Sequence, residues 1–164
     1  MNTIAYTGSL TSHPSGHAAT RPHCFIETSG EINEFTKMHV TNLAEKGLQQ
    51  VGKRLYRAKI AVMGLVYKNI INDPLESPAI KIIEELVNLG AEMRVYDPYV
   101  PSLATKVRVF TSVKSVEEAL RGAECAVFLV DHDAFKEIDL ECIVNQMSCP
   151  VIIDCKNLFQ KKKE

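Results

Sequence analysis

Two lysines follow short apolar runs in this sequence. Lys68, beside Tyr67, comes just after Ile60-Ala61-Val62-Met63-Gly64-Leu65, and Lys156 comes just after Val151-Ile152-Ile153-Asp154. An ammonium group next to backbone amides at the end of a buried strand suits a diphosphate, because fixed N–H dipoles and a point charge act on the same oxygens. A solvated surface lysine is the competing reading of each. A third run, Cys125 to Val130, ends in Asp131-His132, and Asn157 flanks Lys156. If these runs are parallel strands of one sheet, their ends converge where such sheets take ligands, outside the carboxyl edge near the point where strand order reverses.

Other chemistries find less support. A dinucleotide turn needs G-x-G-x-x-G so that the backbone can approach a pyrophosphate, and Gly64 is the one glycine in its turn. Asp97 stands where an acid would hold a ribose, but without those glycines Asp97-Pro98 reads better as a strand terminator and turn. His13, His17, His23 and Cys24 match no zinc spacing, so no metal site is expected. The five cysteines, Cys24, Cys125, Cys142, Cys149 and Cys155, form no CxxC pair and are odd in number, which reads as reduced thiols packed as small apolar groups. Lys+Arg (19) nearly balance Asp+Glu (20), which argues against nucleic acid or an anionic membrane as partner. No apolar stretch is long enough to span a membrane and no secretory signal pattern is present, so the expected location is cytoplasmic.

The elements that must position the lysines follow from periodicity. Residues 1–29, rich in Ser, Thr, Gly, Pro and His, lack apolar periodicity and are expected to be loosely ordered. Residues 30–56 read as a long connecting helix with Ile32, Phe35, Met38, Val40, Leu43, Leu48 and Val51 on one stripe. Residues 57–158 alternate strand and helix: 59–65, a helix opened by Ser77-Pro78 and closed by Gly90, 92–96, 107–110, a helix capped by Ser115, 125–130, a helical stretch over 133–146, and 151–154. The fold class is therefore α/β, a doubly wound, mainly parallel five-stranded sheet preceded by a long helix. The expected strand order is 3-2-1-4-5, with the switch point between the first and fourth strands. Residues 159–164 form a charged tail.

These residues also carry a resemblance. Ala61-Val62-Met63-Gly64-Leu65-Val66-Tyr67-Lys68, then Asp73, Glu76-Ser77-Pro78-Ala79, Val95-Tyr96-Asp97-Pro98-Tyr99-Val100 and Asp154-Cys155-Lys156-Asn157 resemble, in order, the C-terminal domain of the UDP-glucose/GDP-mannose dehydrogenase family, a Rossmann-like module. Glu31-Ile32-Asn33 looks like the start of that family's central dimerisation helix.

The resemblance implies a nucleotide-sugar 6-dehydrogenase that oxidises a UDP-hexose to its uronic acid with NAD. This domain would hold the nucleotide end of the substrate, through Tyr67, Lys68 and Lys156. Lys156 stands where the family has an arginine, so it keeps the charge but loses the planar fork. Leu75 replaces the arginine that contacts NAD, so no cofactor-binding residue is expected here. Arg21-Pro22-His23-Cys24-Phe25 does not form the motif of the catalytic cysteine, so no catalytic residue is assigned. The implied chain is inactive alone, as a fragment, a split gene product or a degenerate copy. It would require an NAD-binding domain from another polypeptide and pair with itself through residues 31–52. The alternative is a non-catalytic nucleotide-sugar-binding or dimerisation remnant.

Overall fold

Runs of four or five apolar residues, too short for helices, form the sheet. The computed structural model describes residues 4–7, 28–65, 77–156 and 158–159, with the backbone alone for 4–7 and 28–34. In chain order the first elements are β1 (Ile4–Thr7), α1 (Thr28–Gln50), β2 (Lys59–Met63), α2 (Pro78–Asn88) and β3 (Glu92–Tyr96). They are followed by β4 (Ser102–Ala104), β5 (Val109–Thr111), α3 (Val116–Leu120), β6 (Cys125–Phe128), α4 (Asp133–Lys136), α5 (Leu140–Gln146) and β7 (Val151–Asp154). The main sheet runs β1-β7-β6-β2-β3, with every neighbouring pair parallel.

Strands β6 and β7 are buried throughout and β2 at all but its first residue, as expected of a sheet covered on both faces. Ile60, Val62, Val127, Val151 and Ile153 pack on one side with Val40, Ala44 and Leu48 of α1 and Ile80, Ile83 and Leu86 of α2. Ala61, Met63, Ala126, Phe128 and Ile152 pack on the other with Ala119 and Leu120 of α3, Phe135 of α4 and Ile143 of α5. The sheet is thus doubly wound, and its strand order reverses between β2 and β6 as expected.

Four details depart from the expectation. The edge beyond β7 is taken by β1, inside the segment expected to be loosely ordered; Ile4-Ala5-Tyr6-Thr7 is too short to show a period, and β7 offers it a parallel edge. Residues 107–110 do not extend the main sheet. The Thr105 hydroxyl donates to the Arg108 carbonyl and accepts from the Val107 and Arg108 amides, closing a turn that folds β5 antiparallel on β4. One parallel bridge, Val95 to Ser112, still ties the segment after β5 to β3. The stretch 133–146 divides into α4 and α5, because the Asp139 carboxylate accepts the Glu141 amide and caps a new helix. On α1 the expected stripe splits: Val40, Ala44 and Leu48, four residues apart, are fully buried, while Phe35 and Met38 are 63% and 60% exposed.

Two capping expectations are answered differently. Ser115 accepts the Glu118 amide at 3.2 Å, an ordinary side-chain cap. Ser77 occupies the N-cap position of α2 with Pro78 behind it, yet makes no side-chain cap. Its hydroxyl donates instead to the Leu65 carbonyl at 3.2 Å.

Candidate functional site

The carboxyl edge of the sheet gathers Gly64-Leu65 after β2, Asp97 after β3, Asp131-His132 after β6 and Cys155-Lys156 after β7. Of the residues proposed from sequence, Lys156 is described and sits half-buried at the end of β7. Tyr67, Lys68, Asp73, Leu75 and Asn157 lie outside the described residues, as do His13, His17, His23 and Cys24. Lys156 is placed by the residue two before it: Asp154 is almost fully buried, and its carboxylate accepts the Lys156 amide at 3.1 Å and the Phe159 amide at 3.1 Å. The turn after β7 is therefore held from beneath.

Asp97 does more than end a strand. Its Oδ1 accepts from the amides of Tyr99 at 2.8 Å and Val100 at 3.1 Å, the local turn that Asp-Pro suggests. Its Oδ2 accepts from the Leu65 amide at 2.7 Å and lies 3.2 Å from His132 Nε2. An ionised carboxylate only accepts, so this contact puts a proton on Nε2. Both side chains are buried, and the His132 ring packs edge-on to Tyr99 and against Phe135. One carboxylate thereby joins the ends of β2, β3 and β6 across the switch point. Sequence reading placed Asp97 and His132 at this edge without linking them.

The Gly64 turn is closely packed. Gly64 has φ +83°, its amide donates to the Tyr96 carbonyl at 2.9 Å, and the Leu65 amide is taken by Asp97. A Cβ on Gly64 would stand 2.7 Å from Val130 Cβ, so the glycine admits the segment that follows β6. The Gly64 and Leu65 amides and the Asp97 carboxylate are thus engaged within the protein.

The buried thiols of Cys155, after β7, and Cys125, at the start of β6, are unsuited to attack. Burial, followed by the charge of Asp154, pushes Cys155 up to about 12 despite the opposing pull of Lys156, and burial raises Cys125 further. Among the described residues no cluster of His, Cys, Asp and Glu could hold a metal ion, and no helix is long and apolar enough to cross a membrane.

A parallel sheet whose strand order reverses between β2 and β6, with helices on both faces, defines a doubly wound, Rossmann-like α/β domain. The chain belongs to the UDP-glucose/GDP-mannose dehydrogenase family, whose UDP binding domain matches residues 61–161. It is 30% identical over 141 residues to UDP-N-acetyl-D-mannosamine dehydrogenase of Methanocaldococcus jannaschii, which covers 84% of this chain and 30% of that protein. It is 33% identical over 147 residues to UDP-glucose 6-dehydrogenase of Bacillus subtilis, covering 87% of this chain and 30% of the relative. Among solved structures, a UDP-D-ManNAc dehydrogenase from Pyrococcus horikoshii superposes with a TM-score of 0.67 at 33% identity, over 79% of this chain and 29% of that one. This chain thus spans about three tenths of the length of these relatives.

Proposed function

We propose that this chain is the nucleotide-sugar-binding domain of an NAD-dependent UDP-sugar 6-dehydrogenase acting in the cytoplasm, and that it grips the UDP end of a UDP-hexose. Tyr67 and Lys68 contact the substrate from the segment after β2, and Lys156 contacts it from the turn after β7. The supporting observation is the shared edge. β2 and β7 are parallel and separated by β6 alone, which puts their carboxyl ends about 10 Å apart. Groups carried beyond those two strand ends can reach one diphosphate.

NAD enters as the cofactor of the whole oxidation, and the closed Gly64 turn supports assigning it to a different domain. The oxidation of the hexose alcohol to its uronic acid therefore depends on an NAD-binding domain besides this one. A second reading, a non-catalytic binding or dimerisation module, is favoured by the exposed Phe35 and Met38 on α1.

Calorimetric titration with UDP and a UDP-sugar tests the first reading. Wild-type chain binds, Lys68→Ala and Lys156→Ala each weaken binding about tenfold or more, and Lys156→Arg retains it. Absence of binding at saturating ligand in folded protein would rule out the substrate site. Mixing the chain with a polypeptide carrying the NAD domain then separates the readings, since NADH formation is expected only if the domain works in catalysis.

A further inference from the structure

We infer that the turn before β2 is a docking surface for a second copy of this chain, and that it receives the acidic segment around the start of α5 head to tail. The inference is independent of the UDP reading, because neither surface includes a residue assigned to that site. Although the net charge is only −1, the charges are segregated: residues 46–65 contain no Asp or Glu, and residues 137–155 contain no Lys or Arg. Unlike charges held on separate surfaces attract a second copy instead of cancelling within one.

Lys53, Arg54, Arg57 and Lys59 follow the end of α1. Lys53 is paired with Glu124 at 2.9 Å, and Lys59 stands beside Glu92 in the β2–β3 register. Arg54 and Arg57 are exposed and have no acid partner among the described residues. The turn that carries them is pinned. Leu55 and Ala58 are buried beneath it, and the Arg57 amide donates to the Gly90 carbonyl at 2.8 Å. Arg57 takes φ +64°, a left-handed conformation that a residue with a side chain holds only where its surroundings impose it. Tyr56 lies over Gly90 so closely that no side chain would fit there, yet it remains 69% exposed. One aromatic ring fixed between two arginines has the composition of an interface centre.

The opposing surface lies on the other side of the fold. Glu137 follows α4, Asp139 caps α5 and Glu141 stands in its first turn, all three exposed. Lys136, just before them, is held by Asp133 at 2.7 Å. The basic turn precedes the amino end of β2 and packs with α1 and α2, whereas α4 follows the carboxyl end of β6 and packs with α5 and α3 on the opposite face. The two surfaces therefore do not meet within one chain. A contact between them is heterologous and repeats from copy to copy rather than stopping at a two-fold pair.

Light scattering and sedimentation of the full chain across a salt titration test this. At about 0.02 M NaCl the mass should rise with concentration beyond that of a dimer, and association should weaken about tenfold or more by about 0.5 M, where charges are strongly screened. An apolar contact through α1 does not respond in this direction. Arg54→Glu combined with Arg57→Glu should abolish the growth, and so should Glu137→Lys combined with Glu141→Lys. Mixing the two variants should restore association, because each offers the charge that the other now lacks.

A wild-type chain that stays a monomer or a dimer at low salt overturns the inference, as does growth that survives high salt. Growth that persists in either folded variant, or folded variants that fail to associate on mixing, overturns it too. The salt titration needs no substitution, so a variant that does not fold leaves the test intact.

Discussion

Replacing Gly64 by alanine tests the packing at the switch point most directly, because the cost has two separable parts. The residue sits at φ +83°, where an L side chain loses about 1–2 kcal/mol. The new Cβ would also lie 2.7 Å from Val130 Cβ and 3.1 Å from its Cγ2 and amide nitrogen, contacts that force the segment after β6 to shift at about 1–3 kcal/mol. The sum, about 2–5 kcal/mol, lowers the unfolding midpoint on the order of 10 °C in a domain of this size. Gly52 supplies the control: it has φ +73° but nothing within 4 Å of an added Cβ, so Gly52→Ala carries the conformational part alone. Urea unfolding followed by circular dichroism measures both variants, and the difference isolates the clash. Equal destabilisation of the two, or a Gly64→Ala protein within about 0.5 kcal/mol of wild type, would show that Val130 does not close this turn.

The remaining predictions concern the surface and the thiols. On α1, Phe35→Glu combined with Met38→Glu is expected to convert a dimer to a monomer in sedimentation while leaving thermal stability nearly unchanged; a monomeric wild-type chain excludes pairing through this face. Glu124 is held below its ordinary value of 4.5: burial acts upward, but the Lys53 ammonium at 2.9 Å and the Lys59 amide at 3.1 Å outweigh it. Its stabilisation is therefore present above 4.5 and lost as pH falls through the lower folded value. Glu124→Gln should be less stable than wild type at neutral pH and converge with it once the pH has fallen below the folded value, and a gap that stays constant with pH refutes the assignment. With a disulfide-exchange reagent at mildly alkaline pH, exposed Cys142 should react at once, whereas Cys125 and Cys155, buried and with raised thiol pKa, should react at the rate of unfolding. Reaction of either at the Cys142 rate contradicts their burial.

Much of the fold was legible because it rests on local pattern. The apolar runs at 60–65, 125–130 and 151–154 can be satisfied only by strands covered on both faces, and the Ser115 cap follows from a hydroxyl three residues before a free amide. The exposed part of α1 was not legible in the same way. Phe35 and Met38 share the apolar character of Val40 and Leu48, and which of them faces the sheet depends on how the helix lies against α2 and β7. The ribbon β4–β5 was missed because Val107 and Val109 look like strand interior, although both stay exposed and only Phe110 is buried.

The candidate site divides along the same line. Residue types and their order were enough to place the strands and helices around the switch point, Lys156 after the last strand, and the motif set that marks the family. These depend on residue type and short spacing. Only the tertiary structure decided that Ser77 gives its hydroxyl to Leu65 rather than to its helix, that Gly64 is small to admit Val130, and that Asp97 joins β2 to β6 through Leu65 and His132. Each of these is a choice among partners distant in the chain. Which partner wins depends on which strands lie side by side, and no local run of residues carries that information.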